Sequence, residues 1–390
     1  MTPSRQVYLL SPPEVRPGNP TRLLERGLRL IRSRRFWIGF AISVLFLFLF
    51  VYFFYKEDPG KVADAFKSAN YIYIIPAIAL YFIAVWFRTL RWRFLLAPLG
   101  SFAVSRLFSV VVVGYMANNL LPARLGELVR AYYVREREGV SASASLATIV
   151  LERIYDGLAL LLFIAVAAVF LPMSGVSGLG SASDAPWVLR LLPAVLLTVI
   201  FVAAIALLTV VALFPRAGMA VARWLARLIP QRVRPNVQKL IELFFQGLSA
   251  LRSPQRQLGV LILSLPVWLF EGGMYLTIAL SFGLTGVLSW PALVLSVIFL
   301  VTATANLALS LPSSPGGVGP FELLAASSLV LVGVSKDIAG SYALALHVVL
   351  LVPVTLLGLF YWWRGNISLA RIAGGGQVET QAADRGGGRP

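Results

Sequence analysis

The chain has 390 residues, 58% of them hydrophobic and 13% charged, with a net charge of +17. A soluble domain of this length cannot hide so much apolar surface, so the composition places the chain in a membrane. The lack of cysteine excludes a disulfide framework and thiolate chemistry, and a single histidine, His347, argues against a histidine-based metal site. No cofactor is implied. The arginine excess outside the apolar runs fits membrane topology and anionic headgroups, and no nucleic-acid motif competes.

In chain order, residues 1–35 form a basic N-terminal segment without the small-residue cleavage site of a secretory signal. Residues 1–20 read as disordered, and 21–35 as a basic amphipathic helix on the inner leaflet. Six runs are long and apolar enough to cross a bilayer: 36–55, 71–95, 142–170, 188–213, 257–283 and 338–363. Two more, 105–121 and 291–311, break at polar Asn/Pro/Gly stretches and resume as shorter helices. The Gly-rich tail, 366–390, reads as disordered.

Basic residues set the orientation. Eight arginines precede the first span, and eight basic residues lie in the connector 214–256. Both termini are then expected in the cytoplasm of a bacterial-type plasma membrane, provided each broken run returns to the side it entered. The expected fold is therefore all-α and polytopic. About six full spans accompany two oppositely oriented re-entrant hairpins, in repeat halves of about 71–170 and 257–363.

The broken runs resemble one another. Ser109 precedes Asn119, and Ser296 precedes Asn306, by the same interval; each run then has Leu-Pro, glycine and glutamate. Non-helical backbone at membrane depth needs protein or water to satisfy it, so the breaks imply a polar cavity. Inverted repeats with broken helices meeting near the midplane are a recurrent transporter design. Candidate substrate-binding residues follow: Asn118, Asn119, Arg124, Glu127 and Arg130 from the first break, and Asn306, Ser313, Ser314, Gly316, Gly317 and Glu322 from the second. Half-helix dipoles and arginines there favour a phosphate or carboxylate.

Ionisable residues inside spans add Glu152, Arg153, Asp156 and Glu271. Each has a bland reading beside the functional one. Glu152 or Asp156 can neutralise Arg124 or Arg130, and Glu271 can pair with Arg88 or Arg91. Glu127 and Glu322 can complement helix dipoles, with Gly319-Pro320-Phe321-Glu322 resembling a capping box. Arg88, Arg91 and Arg93 read as snorkelling near a helix end, Trp92 as an anchor, and the Trp and Tyr residues as interfacial belts. His347 reads as a hydrogen-bonded packing residue.

The segments RTLRWRFLL (Arg88 to Leu96), NNLLPARLGELVRAYYV (Asn118 to Val134), ERIYDG (Glu152 to Gly157) and LPSSPGGVGPFE (Leu311 to Glu322) resemble the membrane region of lysylphosphatidylglycerol synthases, including stand-alone flippase-like proteins. The resemblance covers about residues 36–365 and implies transbilayer movement of a phospholipid or polyprenyl-linked lipid. Some relatives are assigned to glycosyl transfer. No aminoacyl-transfer domain follows residue 365, so aminoacyl-lipid synthesis by this chain is not expected.

Three functions compete. The first is transport of an anionic phospholipid or polyprenyl-phosphate-linked lipid, with the expectation that the chain is no enzyme. The second is a membrane transferase using a polyprenyl-phosphate sugar. The third is a scaffold for envelope assembly, with biosynthetic partner proteins docking on 214–256. Oligomeric state is not encoded in any of these features.

Overall fold

The computed structural model describes residues 34–55, 59–121, 125–171, 254–309 and 315–365, together with parts of 196–245. Every regular element among the described residues is helical. In order these are α1 (Arg34–Tyr55), α2 (Pro59–Ser68), α3 (Ile74–Leu96), α4 (Val104–Leu120), α5 (Gly126–Glu138), α6 (Ala142–Phe170) and α7 (Pro215–Ala226). There follow α8 (Pro254–Ser281), α9 (Trp290–Ala308), α10 (Pro320–Leu331) and α11 (Lys336–Arg364).

Five described helices are long and apolar enough to cross a membrane: Tyr71–Leu99, Ala142–Phe170, Gln255–Ser281, Trp290–Ala308 and Lys336–Arg364. The chain is thus a multi-pass, all-helical membrane protein. The first expected span coincides with α1, whose shorter apolar stretch is Ala41–Phe54. The expected span 188–213 is described only at scattered helical positions. The N-terminal segment 1–33 and the tail 366–390 lie outside the described residues.

The second broken run, expected over 291–311, is α9 up to its break. α9 is continuous for 19 residues, about 28 Å, which is enough to reach across the hydrocarbon core. Leu295–Val301 within it is wound as π-helix, and Thr302 Oγ1 donates to Val297 O at 3.0 Å, five residues back. This wider turn lies against α8: a Cβ on Gly272 would sit 2.9 Å from Ile298 Cγ2 and 3.2 Å from its Cα. Only a residue without a side chain lets these two helices approach so closely.

Both helix–break–helix segments are present. α4 ends at Leu120 and α5 starts at Gly126; α9 ends at Ala308 and α10 starts at Pro320, after a short 3₁₀ turn at Pro315–Gly317. α4 also packs on α5 without side-chain spacing, since a Cβ on Gly126 would fall 2.1 Å from the Gly114 carbonyl oxygen. α3 and α8 form the most extensive pair, with α11 against α4 next.

Polarity runs inside out. Ile75, Ile262, Val348 and Leu356 stand exposed on the outer faces of the spans, where lipid solvates them. Arg88, Arg91, Arg130, Glu152, Asp156 and Glu271 are buried. That arrangement places the site.

Candidate functional site

The centre of the protein holds an ion network joining four helices. Arg88 and Arg91 lie one turn apart on α3, and Glu152 and Asp156 one turn apart on α6, so each pair projects from a single face. Glu152 is ten residues into α6, about 15 Å along its axis; Glu271 is ten residues from the end of α8. The charges therefore lie deep along these helices. Unpaired, each would cost several kcal/mol at such depth.

Each of these charges has a partner. Arg130 grips Glu152 with both terminal nitrogens, at 3.1 and 2.8 Å. Arg91 Nη1 donates to Asp156 Oδ1 and to Ser264 Oγ, both at 2.8 Å, and its Nη2 lies 3.4 Å from Glu152 Oε1. Arg153 Nη2 reaches Glu152 at 2.9 Å and Asp156 at 3.2 Å. Arg88 Nη2 donates to Glu271 Oε2 at 2.6 Å, with Asp156 Oδ2 3.6 Å from its other arm. Aromatic faces complete the packing. The Arg130 guanidinium sits 3.7 Å over the Trp92 ring and that of Arg88 4.5 Å over Trp268.

Several sequence-based readings are corrected by this arrangement. Arg88 and Arg91 do not snorkel; both are buried in the network, because α6 and α8 supply carboxylates at their depth. Trp92 is no interfacial anchor: it is fully buried, donates to Thr148 Oγ1 at 3.1 Å and carries Arg130 on its face. Tyr81, Trp268, Tyr275 and Tyr342 are likewise buried and belong to no interfacial belt. Arg93 remains exposed.

Beside the network lies a cavity of ≈ 160 Å³. Its wall takes Arg88, Arg153, Asp156 and Glu271 from the network, Asn118 and Asn119 from the end of α4, and Asn306, Gly316 and Gly317 from the second break. Tyr81, Tyr115 and Trp268 add aromatic surface. Both breaks thus reach one polar cavity. Arg124, Ser313 and Ser314 lie outside the described residues. Glu127, Arg130, Glu152 and Glu322 are not in the cavity wall; of these, Glu127 approaches Arg153 Nε at 3.8 Å.

The helix starts at the breaks carry their own caps, which changes the expected electrostatics. Asn118 Oδ1 accepts the Gly126 N–H at 2.9 Å, and Glu322 Oε2 accepts the Gly319 N–H at 2.7 Å. These two amides are therefore committed within the protein. Asn119 Nδ2 donates to Thr355 Oγ1 at 2.9 Å, pinning α4 to α11, and Asn306 Nδ2 donates to the Tyr275 hydroxyl at 3.0 Å.

His347 on α11 braces the second break. Its Nε2 lies 3.0 Å from the Gly316 carbonyl oxygen, which can only accept, so Nε2 carries a hydrogen. Its Nδ1 is 2.6 Å from Glu322 Oε1, and Phe321 stacks on the ring. Gly316 itself has φ 71°, a conformation that favours glycine. The sequence reading of His347 as a hydrogen-bonded packing residue matches this geometry.

The lysylphosphatidylglycerol synthase TM region family matches residues 36–358. The chain belongs to that family. It is similar to two UPF0104 membrane proteins of Methanothermobacter thermautotrophicus, 27% identical over 295 residues (73% of this chain, 82% of the relative) and 28% over 341 residues (84% and 92%). It is also 28% identical over 310 residues to glycosyltransferase AglD of Haloferax volcanii, covering 76% of this chain and 48% of that protein. The chain therefore spans about half of that relative's length. No solved structure matches. The expectation that the chain is no enzyme is corrected by these relatives, since one of them bears a glycosyltransferase name.

Proposed function

We propose that the chain carries a phosphate-bearing lipid, a phospholipid or a polyprenyl-phosphate-linked one, across the membrane. Its headgroup would pass through the central cavity while its chains stay in the bilayer. One observation supports this above the others: a polar cavity, walled by the ends of both helix breaks and by paired charges, inside a bundle whose outer faces are apolar. Arg153 is the phosphate contact in this reading. It lines the cavity, and its side chain, 35% exposed, is the most exposed among the arginines of the network. The two helix–break–helix segments are read as entering from opposite faces, with the termini cytoplasmic, in keeping with the arginine distribution.

Reconstitution into vesicles with labelled phospholipids and polyprenyl phosphates tests the proposal. Transbilayer exchange faster than in protein-free vesicles supports it, and no acceleration for any of these lipids refutes it.

A second reading, a membrane transferase acting on a polyprenyl-phosphate-linked sugar, is favoured by the similarity to glycosyltransferase AglD. Asp156 and Glu271 in the cavity wall are the carboxylates such chemistry would use. Product formation in detergent, where no barrier exists to cross, separates this reading from transport.

A further inference from the structure

A strut closes the second break. His347 Nε2 lies 3.0 Å from the Gly316 carbonyl oxygen and its Nδ1 2.6 Å from Glu322 Oε1, so one imidazole joins the 3₁₀ turn to the start of α10. Gly316 lines the central cavity, and the strut therefore fixes part of the cavity wall. His347 lies eleven residues, about 16 Å, into α11, and both side chains of the pair are at most 4% exposed.

The hydrogen bonds count the protons. The Gly316 oxygen only accepts, so Nε2 carries a hydrogen, and Nδ1 of a neutral ring is then a bare acceptor. The other Glu322 oxygen is taken by the Gly319 N–H at 2.7 Å. A contact of 2.6 Å between Nδ1 and Oε1 needs one further proton between them, whichever atom owns it. With that proton the pair is neutral. Without it, two lone pairs face each other and a net negative charge is left in the interior.

No neighbouring charge takes the proton's place. Among the described residues, Glu322 forms its ion pair with His347 alone. α9 carries no ionisable side chain, and those described on α1 and α2 are exposed. Glu271 of α8 is paired with Arg88 of α3, and Arg91 with Asp156. Tyr275 of α8 is bonded to Asn306, and Tyr342 of α11 to the Tyr275 carbonyl. Tyr81 of α3 and Tyr115 of α4 line the cavity, and Arg106 of α4 is exposed beside Glu138.

We infer that Glu322 and His347 form a proton-binding site that latches the second break. With the bridging proton the break holds its present shape. Release of that proton to the cavity leaves a carboxylate and a neutral imidazole, which part, free the Gly316 carbonyl and let this wall move. The site is separate from the central ion network and from whatever the cavity admits. Its consequence for lipid passage, faster once the latch is released, rests on the carrier reading.

The chain has one histidine and no cysteine, so each probe reports from one place. Untagged full-length protein in nanodiscs carries isotope-labelled histidine for nitrogen NMR or, separately, a nitroxide on Leu309→Cys, which follows α9 and lines the cavity. The pH is raised from about 4 to about 10, a span containing the ordinary values of both groups. The Nδ1 signal should pass in one step to that of a bare ring nitrogen, with Nε2 still protonated. At the same midpoint the ratio of mobile to immobile nitroxide should rise about tenfold. Glu322→Gln replaces the bridging proton with an amide hydrogen that cannot leave, so both signals should stay flat. An Nδ1 signal that never changes in the unaltered chain, or one that changes with no response from the nitroxide, overturns the latch. In vesicles, lipid exchange by the parent should rise at the same midpoint and that of Glu322→Gln should not. Exchange indifferent to pH while the latch responds overturns its role in passage; no exchange at any pH refutes the carrier reading and leaves the latch standing.

Discussion

Arg88 and Glu271 stand 183 residues apart and meet at 2.6 Å in the buried centre of the protein. Their bond ties α3 to α8, the most extensive helix pair, and both side chains line the cavity. Removing one partner leaves the other buried charge without a second full partner. Arg88→Ala or Glu271→Ala should each destabilise the protein by about 3–5 kcal/mol, and replacing both with apolar residues of similar size should recover most of that loss. Thermal melts of the purified variants check this. A double variant no more stable than the singles would show that the pair contributes by more than mutual neutralisation.

Arg130 is held by geometry as well as charge. It forks onto Glu152 and lies over Trp92. Lysine keeps the charge and loses both the second hydrogen bond and the flat stacking face, so Arg130→Lys should cost about 1–3 kcal/mol. Trp92→Leu should cost about 3 kcal/mol or more, through a core cavity and the lost ring beneath the guanidinium. Melting temperatures of both variants within error of the parent would contradict this account of the contact.

Two glycines on the first half of the chain should behave oppositely. At Gly126 a methyl group would overlap the Gly114 carbonyl and the Asn118 side chain, at 2.1 and 2.6 Å, and the carbonyl cannot step aside without moving α4. Around Gly157 nothing lies within 4 Å of the added carbon. Gly126→Ala should therefore separate α4 from α5 and lower stability by roughly 2 kcal/mol or more. Gly157→Ala should be neutral or stabilising by up to about 1 kcal/mol, from helix propensity. Parallel melts decide it.

The second break depends on one carboxylate. Glu322 accepts from the Gly319 amide with one oxygen and meets His347 with the other. Glu322→Ala should lose about 2–4 kcal/mol because a backbone donor and an imidazole are both left unmatched. Glu322→Gln should lose less, since its remaining oxygen still accepts from Gly319. Equal losses would mean that the backbone contact contributes nothing separable.

Much of this architecture is legible in the sequence, and the failures have a physical cause. The break positions follow from glycine, proline and asparagine interrupting apolar runs. The bond of Glu322 to Gly319 follows from four adjacent residues, and the pairing of Glu271 with Arg88 or Arg91 follows from an intramembrane charge needing a partner. Burial of Arg88, Arg91 and Trp92 was not legible. In a soluble helix the apolar stripe marks the inner face, but in α3 and α6 every face is apolar and rotation leaves no trace. Three intervals could have revealed it: an arginine pair at i, i+3, a carboxylate pair at i, i+4, and equal depth below the same helix ends. The cap on Gly126 was missed as a competitor for a ligand because Asn118 was read towards substrate before its local amide partner.

The absence of native cysteine allows a single direct experiment on the cavity. Gly157 lines it and has open space around its Cα, whereas Ile262 is exposed on the outer face of α8. Gly157→Cys and Ile262→Cys, each alkylated with a bulky maleimide and reconstituted, are compared for transbilayer lipid exchange. If headgroups pass through the cavity, labelled Gly157→Cys loses most of its exchange while labelled Ile262→Cys keeps it. Full exchange by completely labelled Gly157→Cys would place the lipid's route elsewhere.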